Sequence, residues 1–237
     1  MMRIDRLHTA ANVAAGLAWP AILVALYLVF VYVPTERTMG IVQRIFYFHV
    51  PSAMMSFLAF FIVFVASIAY LITRGRGWDI TAQAAAELGV VFCSIVLITG
   101  PIWAKPIWGI WWTWDARLTL TLVTWLIYVS YLMLRAYLPE GARRANLAAV
   151  VGIVGALAVP INYMSIRWWR TQHPKPVIMG GADSGLAPDM ALTFRVCLVA
   201  FLILFIALLL RRVVVEMLQD EVDHLYREAD LTPPERG

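Results

Sequence analysis

The chain has 237 residues, of which 62% are hydrophobic and only 14% charged, and its mean hydropathy is +0.76. A soluble domain of this size could not hide so much apolar surface and still present a solvated exterior, so most of the chain has lipid as its solvent. The net charge of +4 is ordinary for basic membrane loops, and no basic stretch points to nucleic acid. In lipid every backbone polar group must be paired internally, which leaves helices or a closed barrel. Barrel strands alternate polar and apolar residues, whereas this sequence has long unbroken apolar runs. The expectation is an all-α, polytopic membrane protein.

Six segments reach the roughly 20 apolar residues a span needs: about 14–33, 52–72, 82–102, 118–137, 145–163 and 190–210. Pro34, Pro51, Gly75 with Gly77, Pro101, Pro139 with Gly141, and Pro188 mark their ends. No A-x-A cleavage site follows the first run, which therefore reads as a retained span and not a signal peptide. Residues 1–211 form one membrane domain on this reading. Residues 212–237 form a charged tail whose spacing suits a short amphipathic helix. Cys93 and Cys197 fall inside apolar runs, form no CxxC pair and read as inert core thiols.

Six spans place both termini on one side, together with the turns near Arg74 and Arg143. That side holds eleven of the nineteen Lys and Arg residues, so the positive-inside rule makes it cytoplasmic. The opposite side holds three loops: 34–51, 102–117 and 164–189.

The second of these loops is the most unusual segment. It places Trp108, Trp111, Trp112 and Trp114 within seven residues and ends on Asp115, with Trp103 just upstream. If helical, Trp108, Trp111, Trp112 and Asp115 share one face at i, i+3, i+4 and i+7. That face would be a rigid aromatic platform for something large, flat and apolar. The bland alternative is a belt of interfacial anchors, for which one or two Trp per span end suffice.

Histidines sharpen the choice. His8 and His224 lie in the terminal segments, while His49 and His173 lie in loops on the platform's side. Each of the latter pair is closely followed by proline (Pro51 and Pro174), which biases the backbone away from helix. Surface histidine is the ordinary reading of either alone. Two sharing a side with a Trp platform suit a haem iron, which accepts imidazoles from opposite ring faces. Arg44 and Arg117 flank these elements and suit propionate carboxylates, or they snorkel to headgroups. Arg167, Arg170 and Lys175 share the loop of His173 and attract anions generally. Asp115 also stands where an acidic residue caps the fourth span. Glu87 and Arg195, near span ends, are left without a role.

The run from Trp108 to Asp115, continuing through Arg117, resembles the WWD signature of the haem-handling proteins of cytochrome c assembly. The six spans, the segment Arg44-Ile-Phe-Tyr-Phe-His49-Val-Pro51 and the position of His173-Pro174 resemble the cytochrome c maturation protein C, or haem exporter protein C, family over essentially the whole chain. No motif position departs from that pattern. The resemblance implies that His49 and His173 are axial ligands of a transiently held haem b (iron protoporphyrin IX) on the periplasmic face. Trp108, Trp111, Trp112, Trp114 and Asp115 would lie along the haem edge, with Arg44 and Arg117 at the propionates. It also implies ABC transporter ATPase and permease subunits, a small single-span helper and a membrane-anchored periplasmic haem chaperone as partners, alongside membrane lipid. The reading is a haem-presenting subunit of a bacterial inner membrane, without bond-breaking chemistry of its own. Its rivals are a b-type haem redox protein, a permease for haem or another amphiphile, and a structural assembly subunit.

Overall fold

The computed structural model describes residues 2–173 and 186–229. Among them lie six helices long and apolar enough to cross a membrane. Helix α1 is Met2–Tyr27, continued by a π turn over Leu28–Tyr32; a 3-10 turn over Ile41–Ile45 leads into α2, Phe46–Thr73. Then follow α3 (Arg76–Trp108), α4 (Ala116–Tyr137), α5 (Ala142–Trp168) and α6 (Pro188–Glu228). Pro174, Lys175 and residues 230–237 lie outside the described residues.

Sequence breakers act unevenly. Gly75 and Gly141 precede α3 and α5, and Pro188 opens α6. Pro51 and Pro101, in contrast, sit inside α2 and α3. A membrane helix can run through a proline because neighbouring helices, hydroxyl side chains or local adjustments can re-satisfy a freed carbonyl. Helix α3 accordingly continues past Pro101 and Pro106 to Trp108. Helix α6 also runs on without a break through the tail to Glu228, 41 residues in all, or about 60 Å at 1.5 Å per residue.

Large apolar side chains on the outer faces, such as Leu23, Phe61 and Val154, are exposed, as lipid-facing residues must be. Inside, α2 packs on α3, α1 on α6 and α4 on α5. The mid-bundle core is built on Phe60, Val63, Tyr128 and Tyr131, with the Phe60 and Tyr128 rings stacked at 3.8 Å. Small residues let the backbones approach. A Cβ at Gly152 would stand 2.8 Å from Val63 Cγ1, and one at Gly155 2.8 Å from Ile127 Cγ2.

The end of the bundle holding the α2–α3 turn carries a network of charges. Asp79 and Arg135, both buried, form a two-pronged pair with Nη1–Oδ1 at 2.6 Å and Nη2–Oδ2 at 2.9 Å. Gln83 accepts from Arg135 Nε at 3.0 Å and donates to Glu87 and Glu216. Arg212 binds both of those acids, and Arg76 reaches Asp79 and Asp220. Glu87, unassigned from sequence, is thus one member of a clamp joining α3 to α6. Arg135, one of the eleven cations counted on the cytoplasmic side, is a buried partner.

Candidate functional site: a two-histidine cavity

At the opposite end, the start of α2, the end of α3, the start of α4 and the segment after α5 enclose a cavity of about 180 Å³. Its lining includes His49 and His173, contributed 124 positions apart in the chain, together with Trp103, Trp108, Trp112 and Arg117. Most of the rest is apolar.

His49 is not a loop residue. It belongs to the first turn of α2, and its burial among Phe46 and Tyr47 outweighs the local bias of Pro51. Its Nδ1 lies 2.8 Å from Thr99 Oγ1 on α3, and its ring meets Trp103 edge-on with centroids 5.8 Å apart. His173 is half-buried in irregular chain five residues beyond α5, its backbone N–H donating to Thr171 Oγ1 at 3.1 Å. Among the described residues no three His, Cys, Asp or Glu side chains gather as a metal cluster. The cavity brings together a pair of imidazoles, a donor set that could serve an iron already held in a macrocycle.

The tryptophan segment departs from the helical face expected of it. Gly109 takes a left-handed conformation, φ 76°, and ends α3 just after Trp108. Residues 110–115 are irregular, so Trp108, Trp111, Trp112 and Asp115 share no helical face. Trp108 and Trp112 turn toward the cavity, whereas Trp111 and Trp114 are 57% and 77% exposed. The Trp112 and Trp114 rings still meet edge to face at 5.8 Å. Trp112 Nε1 is a buried donor without a partner among the described residues.

Asp115 is the N-cap of α4: Oδ1 accepts from the Leu118 N–H at 3.0 Å and Oδ2 from Thr113 Oγ1 at 2.9 Å. It fixes the loop's exit and does not line the cavity. Arg117 does line it, with Nη1 donating to the Asn162 carbonyl at 2.7 Å and the guanidinium 5.8 Å from the Phe57 ring centre. Neither Arg117 nor Arg44 has a carboxylate partner among the described ion pairs. Arg44 stands apart from the cavity lining. Its Nη1 donates to Phe30 O at 3.2 Å, and its Nε is buried without a partner among the described residues. Arg195 donates to the Ala191 carbonyl of its own helix, and His8 and His224 are exposed.

Thr99 and Phe57 are the residues here that sequence alone does not single out. A threonine inside a span usually bonds back to its own helix, and nothing in the chain's order links position 99 to position 49.

Residues 3–228 match the family described as Heme exporter protein C. The chain is 34% identical over 192 residues to the Heme exporter protein C of Bradyrhizobium diazoefficiens, covering 81% of this chain and 73% of that protein. It is 33% identical over 183 residues to the Escherichia coli K12 protein of the same name, covering 77% and 74%. A putative cytochrome c biosynthesis ccmC-like mitochondrial protein of Marchantia polymorpha is 33% identical over 163 residues, 69% of each chain. The family match runs nearly end to end and takes in every residue that lines the two-histidine cavity: this chain belongs to the heme exporter protein C family.

Proposed function

We propose that the chain is a haem-handling subunit of cytochrome c biogenesis in the bacterial inner membrane. It holds haem b at the periplasmic end of its bundle, with both termini cytoplasmic, and presents it to a membrane-anchored haem chaperone. Family membership supports the haem-handling role. The observation that carries the site is the meeting of His49 and His173 in one largely apolar cavity beside Arg117. The imidazoles of His49 and His173 would be the residues that hold the iron. Arg117, without a carboxylate partner among the described ion pairs, would take a propionate; Arg44, which stands apart from the cavity lining, would serve the second propionate only if haem extends beyond that lining. Trp108 and Trp112 would flank the ring, while exposed Trp111 and Trp114 would meet the acceptor. ABC transporter subunits and a small single-span helper complete the assembly on this reading.

A b-type redox protein is the rival that the geometry brings closest, because His49 is helix-borne after all. What favours presentation is the position of the pair at the bundle end, with His173 on irregular chain and two exposed tryptophans alongside. Both readings are tested on haem-replete purified protein. A Soret band lost in the His49→Ala, His173→Ala double variant is expected, and an unchanged spectrum refutes the site. Transfer of haem to the chaperone should fall in Trp111→Leu, Trp114→Leu with binding retained. Normal transfer by that variant removes the presenting role of those two residues.

A further inference from the structure

We propose that Thr99 is a positioning residue that locks His49 in the tautomer presenting Nε2, with its lone pair, to the cavity. The inference rests on His49 being a haem ligand, as proposed above. The Thr99 hydroxyl has a single proton, and the carbonyl of Ile95 takes it at 2.7 Å. The hydroxyl oxygen, 2.8 Å from His49 Nδ1, is therefore left to accept, and Nδ1 must carry the ring proton. Gly100, the neighbouring residue on α3, faces the Cε1 edge: a Cβ built there would stand 3.5 Å from His49 Cε1, so the ring runs close along the helix. Next around the ring from Cε1 is Nε2. Trp103, one turn further along α3, meets the imidazole edge-on at 5.8 Å. Three positions of a single helix thus border the imidazole, and Thr99 is the one that hydrogen-bonds it.

The identity of the partner has a chemical consequence. Metal-bound histidines commonly donate their second N–H to a carboxylate or carbonyl, which raises the basicity of the ligating nitrogen. A neutral hydroxyl orients the ring without lending negative charge, so His49 stays an ordinary imidazole. An oriented but electronically unassisted ligand suits a site that must hold haem and then release it.

The test is a haemin titration of the full chain in detergent, with ferric EPR spectra and the rate of haem loss to apomyoglobin. Thr99→Val keeps the shape and removes the acceptor. Its haem affinity should fall about tenfold, the low end of the range for a hydrogen-bond partner of a metal-ligating imidazole. The ferric signal should broaden as the ring loses its fixed plane. Thr99→Ser restores the acceptor and should bring both back toward wild type. If Thr99→Val does not give a monodisperse protein, Thr99→Ala is read against Thr99→Ser in its place. Wild-type affinity and EPR signal in the variant lacking the hydroxyl overturn the proposal, provided that His49→Ala abolishes the ligand signature. An unchanged spectrum in His49→Ala overturns instead the ligand assignment on which it rests.

Discussion

Replacing Asp79 with alanine should strip the bundle of a deeply buried counter-charge while leaving the cavity intact. Arg135 and Asp79 have side chains only 4% and 3% exposed. Without the carboxylate, the guanidinium keeps Gln83 Oε1 at 3.0 Å and a long contact of 3.4 Å to Tyr131 Oη. Removing one partner of a buried pair costs about 3–5 kcal/mol, chiefly because the other charge is left uncompensated. Asp79 is only three residues into α3, near the span end, which places the cost toward 3 kcal/mol. For a chain of this size that amounts to a fall of roughly 6–12 °C in melting temperature. Size-exclusion thermostability in detergent reads it directly. The double variant Asp79→Leu, Arg135→Met removes both charges, and buried pairs replaced by apolar side chains are often neutral or better. It should therefore recover most of the loss, with Arg76 still held by Asp220 and Gln83 by Glu87 and Glu216. A single variant that melts with the wild type, or a double variant no better than the single, refutes the uncompensated-charge account.

Gly152→Ala should destabilise by about 1–3 kcal/mol, since its Cβ meets Val63 and Ser67 within 3 Å. Gly16→Ala, with open space around it, should gain about 0.5–1 kcal/mol in the same melting assay. Asp115→Ala should cost about 1 kcal/mol by uncapping α4, with Asp115→Asn much milder; hydrogen exchange at the Leu118 amide reports it. Glu36, in the loop before α2, accepts from the amides of Met39 and Thr38, which hold its carboxyl below the usual range. A depressed folded value means stabilisation present at neutral pH and lost as pH falls through that value. Protection of the Met39 amide, corrected for intrinsic exchange, should therefore collapse in acid, and in Glu36→Gln should be weak and pH-independent.

The six spans were legible because lipid imposes a length and an apolarity that no local preference overrides. Positions within them were less so. A proline in a soluble helix is a dependable stop, but Pro51 and Pro101 lie inside α2 and α3, as membrane helices tolerate. That is why His49, placed in a loop by its neighbour Pro51, stands on a helix. The tryptophan face failed for an equally local reason: Gly109 turns left-handed, and periodicity cannot continue through it. The partition of histidines between the two ends survived both misplacements, because it depends on counting spans and not on backbone conformation. Residue pairs that meet only across helices, such as His49 with Thr99 or Asp79 with Arg135, leave no trace in chain order.

The stack of Phe60 on Tyr128 also bears on what the bundle keeps apart. It lies between the cavity and the charge clamp, closed in by Val63 and the bare backbone of Gly152, whose carbonyl takes the Tyr128 hydroxyl at 3.2 Å. Ions lose their hydration in such a layer at a cost of several kcal/mol each after relaxation. A layer of this kind opposes the passage of ions between the cavity end of the bundle and the clamp end.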